Sequence, residues 1–78
     1  MRRAAPRHSE VVRALGRRLR DARERRLLSV PELAARLGVS RFMLHSIEQG
    51  RAGTSVGWLV EIADALDVSL DWLLGRVS

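Results

Sequence analysis

Residues 29–50, SVPELAARLGVSRFMLHSIEQG, leave the chain little choice but two short helices joined by a tight turn at Gly38-Val39-Ser40. Ser29 followed three residues later by Glu32 is the pattern of a reciprocal capping box, and Pro31 sits in the first turn, where its missing N–H is harmless. A helix over 30–37 follows, with Leu33, Ala34 and Leu37 inward, and Gly38 stops it. Ser40 then caps a second helix reaching about Gln49, where Gly50 suits a left-handed end. Neighbours on one helix face are three or four residues apart, so Leu44 and Ile47 are expected to face inward and Arg41, Phe42, His45 and Ser46 outward. That outward face is the place to look for function.

The flanking segments read as supports. Residues 1–8, MRRAAPRH, show no periodicity and are expected to form a flexible basic arm, with the folded domain spanning 9–78. From Ser9, a plausible N-cap, Val12, Leu15, Leu19 and Ala22 recur at helical spacing, giving a helix to about Arg26. Gly16 inside it costs about 1 kcal/mol relative to Ala, a sign of close packing against another helix. A fourth helix starts near Thr54 or Ser55 and carries the apolar stripe Val56, Leu59, Ile62, Ala63, Leu66, with Trp58 near its edge. Asp67 ends it in a left-handed conformation. Ser69 and Asp71 begin a last short helix through Leu74, closed by Gly75. Nothing signals a strand, so the fold class expected is all-α.

Charge narrows the partners. All fourteen basic residues are arginine. Residues 1–26 set ten of them against Glu10, Asp21 and Glu24, a net of +7, whereas residues 52–78 set Arg76 against Glu61, Asp64, Asp67 and Asp71, a net of −3. A basic pole favours polyanions, and arginine suits two-pronged contact with phosphate or guanine. With no cysteine and two histidines, neither a disulfide framework nor a zinc site is expected, and no cofactor is implied. Adjacent His45 and Ser46 point in different directions on a helix, so they make no nucleophile and base pair, and no enzyme activity is expected. No apolar run approaches the roughly 18 residues of a membrane span, which points to a soluble, cytoplasmic protein without a membrane partner.

With Leu33-Ala34, Gly38-Val39-Ser40, Leu44, Ile47-Glu48 and Gly50 in register, the chain resembles the Cro and phage-repressor family of helix-turn-helix proteins, the xenobiotic-response-element type. The likeness runs from Leu15-Gly16 through Arg23 to Ala65-Leu66, Val68-Ser69 and Asp71-Trp72-Leu73-Leu74-Gly75. It implies a five-helix, lambda-repressor-like domain acting as a transcription regulator, in a family whose members serve as phage repressors, restriction controllers, antitoxins and general regulators. Its recognition helix, residues 40–49, would enter the major groove of double-stranded DNA. Carried over position by position, Arg41, Phe42 and Ser46 become the base-reading residues, Arg41 offering two donors to guanine. Around them Ser40, Met43, His45, Gln49 and Arg51 are taken as phosphate-contacting or supporting residues, and the basic charge of the first helix makes Arg17, Arg20, Arg13 and the arm candidate phosphate partners. For Met43, padding of the helix against the arm is the plainer role.

Glu48 lies in the last turn of its helix, where an anion opposes the macrodipole by about 0.3 to 1 kcal/mol, so a cationic partner is expected. The resemblance supplies Arg23. It also implies a homodimer on a palindromic operator, joined through the end of the fourth helix and residues 70–77. Two departures stand out. Val30 replaces the glutamine that usually braces the recognition helix, and neither Asn nor Gln occupies a base-reading position, so the two-pronged reading of adenine is lost. Phe42, Met43 and Val30 give the outward face unusual apolar content, and the alternative reading is a protein-interaction module such as an antitoxin or adaptor.

Overall fold

The computed structural model describes residues 4–76, with side chains from His8 onward. Among them all regular structure is helical, in the order α1 (Ala4–Arg25), α2 (Val30–Leu37), α3 (Arg41–Glu48), α4 (Val56–Leu66) and α5 (Leu70–Leu73).

One device starts each of the last four helices. Ser29, Ser40, Ser55 and Ser69 all hold extended backbone, and each hydroxyl accepts the N–H three residues on, from Glu32, Met43, Trp58 and Trp72. A serine oxygen there satisfies one of the donors a helix start leaves open, which stabilises by about 1 kcal/mol per cap. At Ser29 the box is complete, because Glu32 Oε1 accepts the Ser29 N–H at 2.7 Å. Asp67 ends α4 with φ +55° as its short polar side chain allows.

The first helix departs from expectation. Ser9 does not cap it; α1 begins five residues earlier, so residues 4–8 are helical, while 1–3 lie outside the described residues. Ala4 and Ala5 are strong helix formers, and Pro6 falls in the first turn, where a proline removes no hydrogen bond.

The helices share one core of Leu15, Leu19, Ala22, Leu33, Ala34, Leu44, Ile47, Leu59, Ile62, Ala63, Leu66 and Leu73. Helix α1 packs on α3 and α5, α2 on α3 and α4, and α4 on α5. Thus α3 is held from behind by α1 and from the side by α2. Gly16 makes the α1 contact possible: a Cβ there would collide with the backbone carbonyl oxygens of Ile47 and Glu48. The close helix approach inferred from that glycine is present, and its partner is the end of α3. No described helix is long and apolar enough to cross a membrane.

Candidate nucleic-acid interface

The rear of α3 is fixed by charge as well as by packing. Arg23 Nε donates to Glu48 Oε2 at 2.6 Å and Nη2 to Oε1 at 2.9 Å, while Nη1 donates to the Leu28 carbonyl at 2.7 Å. Both side chains are almost dry, 11% and 3% exposed. The expected Arg23–Glu48 pair is therefore formed, in the two-pronged geometry that makes arginine–carboxylate bonds strong, and it also ties down the α1–α2 turn. Its hydrogen bond to Glu48 raises the Arg23 pKa above the ordinary arginine value, against burial, which lowers it. Glu48 thus has its counter-charge from α1, and the unfavourable dipole position is tolerated.

The front of α3 is open. Arg41 and His45 are exposed, and Phe42 stands 78% exposed. Arg41 makes no ion pair with another described residue. Ser40 is spent on its cap, accepting the Met43 N–H at 3.0 Å. Met43 is half-buried and packs against the core, so it pads the helix inward; the side chains of residues 1–7 lie outside the described residues.

Ser46 requires a correction. It was expected to face outward with Phe42, four residues before it, yet it is buried at 9% exposure. A serine side chain ends close to the backbone, and the last turn of α3, which carries it, is the turn packed against α1, where Gly16 meets the Ile47 and Glu48 carbonyls.

The remaining arginines divide by pairing. Arg20 is bonded to Glu24 at 3.1 Å, Arg25 to Asp21 at 3.2 Å and Arg26 to Asp67 at 2.9 Å. The first two are i,i+4 pairs legible in the sequence; the third joins residues 41 apart and carries no local signal. Arg17 and Arg51 are exposed and have no acidic partner among the described residues, and exposed Gln49 closes α3 by donating its N–H to the His45 carbonyl. The structure so brings Arg41, Phe42 and His45 onto one open face with Gln49 and Arg51 at its far end, and it leaves Arg20 partly neutralised.

Known proteins agree with this arrangement. A family model described as a helix-turn-helix domain matches residues 14–73. Comparison with curated proteins gives no match. Among solved structures, the chain is similar to the restriction-modification controller protein C.AhdI from Aeromonas hydrophila, with a TM-score of 0.75 and 31% identity over 80% of this chain and 94% of that one. With α2 and α3 forming the two-helix motif, α1 bracing it and most of the chain matched, this protein belongs to the helix-turn-helix family of DNA-binding transcription regulators, in its Cro-like, xenobiotic-response-element branch.

Proposed function

We propose that the chain is a sequence-specific double-stranded DNA-binding regulator that lays α3 in the major groove as a homodimer on a near-palindromic operator. The observation that carries this reading is the contrast between the two sides of α3. Its rear is locked by Gly16 and the Arg23–Glu48 pair, whereas its front presents Arg41 unpaired beside exposed Phe42. A rigid helix with an uncommitted guanidinium in its first turn is suited to reading base edges there. Arg41 takes guanine O6 and N7, a contact that discriminates by roughly 1 to 3 kcal/mol, and Phe42 packs on a thymine methyl. Ser40 and Gln49 hold phosphates through backbone or side-chain donors, with His45, Arg17, Arg51 and, less freely, Arg20 around them. Two copies would place their α3 helices in successive major grooves about 34 Å apart. The dimer surface is the end of α4 with residues 70–76; residue 77 lies outside the described residues.

Selection of bound sequences from a random duplex pool tests the reading. Half-sites with guanine opposite Arg41 are expected, and half-sites without it remove the specificity assignment. The exposure of Phe42 favours a second reading, an interaction module of antitoxin or adaptor type that meets a protein through α3. Gel shift and pull-down from one extract separate the two: a Phe42→Ala chain that loses a protein partner while keeping duplex affinity supports the second.

A further inference from the structure

Helix α1 begins ten residues before the segment that the family model matches, adding nearly three turns to its N-terminal end. The last of those turns lies against the loop that leaves the recognition helix. Val12 Cγ2 lies 3.7 Å from where a Gly53 side chain would begin, and Arg13 Cγ lies 2.8 Å from where a Gly50 side chain would begin. Gly50 also has φ +74°, so both backbone conformation and space demand glycine there, and the space is taken by the stem of Arg13. The residue after Gly50 is Arg51. Two exposed arginines from separate elements therefore flank one glycine at the end of α3.

The charges of α1 are not treated alike. In its C-terminal half Arg20, Arg23 and Arg25 each have a carboxylate partner, as does Arg26 just past its end. Arg18 folds over Gly75, its Nη1 2.8 Å from a would-be side chain there, on the α5 side of the helix. Arg13 and Arg17, four residues apart and hence repelling each other on one face, have no acidic partner among the described residues. Arg13 shares its face with Gly16 and Arg23, the residues that meet α3.

We infer that the N-terminal extension of α1 is a DNA-contacting element, in which Arg13, seated on Gly50, forms with Arg17 and Arg51 a phosphate clamp beside the exit of the recognition helix. The inference rests on the reading of α3 as a duplex-binding helix. The clamp is indifferent to sequence, because it meets the backbone and not base edges. It adds affinity and fixes how far α3 enters the groove.

The test is fluorescence anisotropy of the full chain with its selected duplex and with a random duplex across a salt series. Arg13→Met and Arg17→Met keep the aliphatic stems, and Arg18→Met makes the same charge change on the side away from α3. Each of the first two is expected to weaken both duplexes about fivefold near physiological salt and to reduce the slope of log K against log salt by about one per protomer bound. Arg18→Met is expected to leave the slope unchanged. A partly unfolded variant cannot imitate the effect, because a constant inactive fraction shifts log K without changing its slope. Equal slopes for wild type, Arg13→Met and Arg17→Met overturn the clamp while leaving the recognition helix standing, whereas a wild-type chain that binds neither duplex overturns both.

Discussion

The Arg23 guanidinium is the residue on which the placement of α3 turns. It bonds both oxygens of Glu48 and the Leu28 carbonyl, so one side chain joins α1, the α1–α2 turn and the end of α3. Glu48→Gln or Arg23→Met leaves the other charge nearly dry and unpaired, a cost of about 3 to 5 kcal/mol, large against the 5 to 15 kcal/mol that hold a typical domain folded. The double variant removes both charges at once and is expected to be destabilised by clearly less than the sum, which denaturant melts of the four proteins in a double-mutant cycle will read; additive losses would mean the two side chains act independently. Glu32 makes a different prediction. Hydrogen bonding from the Ser29 backbone N–H, then from its hydroxyl, favours the carboxylate and lowers the Glu32 pKa below the usual range. The stabilisation is thus complete above the unfolded value of about 4.3 and is lost as pH falls through the lower folded value. Glu32→Gln is expected to flatten that part of the acid limb of stability, followed by urea midpoints from about pH 6 down to about pH 3.

At the scale of elements, two positions in and after α1 oppose simple propensity rules. Gly16→Ala should gain about 1 kcal/mol of helix propensity, but its new methyl meets carbonyl oxygens that belong to the α3 backbone and cannot swing aside. Overpacking of this kind typically costs 1 to 3 kcal/mol, so net destabilisation is expected, together with weaker duplex binding as α3 is pushed outward. Leu27, in the α1–α2 turn, is 89% exposed with φ +58°. A left-handed leucine is strained by roughly 1 to 2 kcal/mol and gains no burial to offset it, so Leu27→Gly is expected to raise the melting temperature. A fall would show that its side chain makes contacts worth more than the strain. The sequence carried the helix starts well where a serine stood before an apolar stripe, because capping and periodicity are local signals. It misled at α1, where Ser9 offers the same local pattern but two alanines and an innocuous proline let the helix begin earlier. Ser46 failed for the opposite reason: helical spacing gives a direction, but not how closely neighbouring elements pack around a short side chain.

For the whole molecule, the sequence showed a basic N-terminal pole and an acidic C-terminal one, and only the fold shows how much of the basic charge is already used. The Arg23–Glu48 pair was legible through its misfit with the helix dipole, whereas the Arg26–Asp67 bridge had no local trace. Among the described residues of α1 and of the loop after α3, the arginines left for phosphate once internal pairs are set aside are Arg13, Arg17 and Arg51, three per protomer and six in a dimer. Six neutralised phosphates give a slope of log K against log salt near −5, and affinity falls about 10³-fold from 50 to 200 mM salt. A monomer with three contacts would lose only about 40-fold over the same range. A titration of the selected duplex at several salt concentrations therefore measures stoichiometry and the set of free arginines together. A loss near 10⁵-fold would require about ten contacts and would mean that the carboxylate-paired arginines of α1 exchange their partners for DNA phosphates.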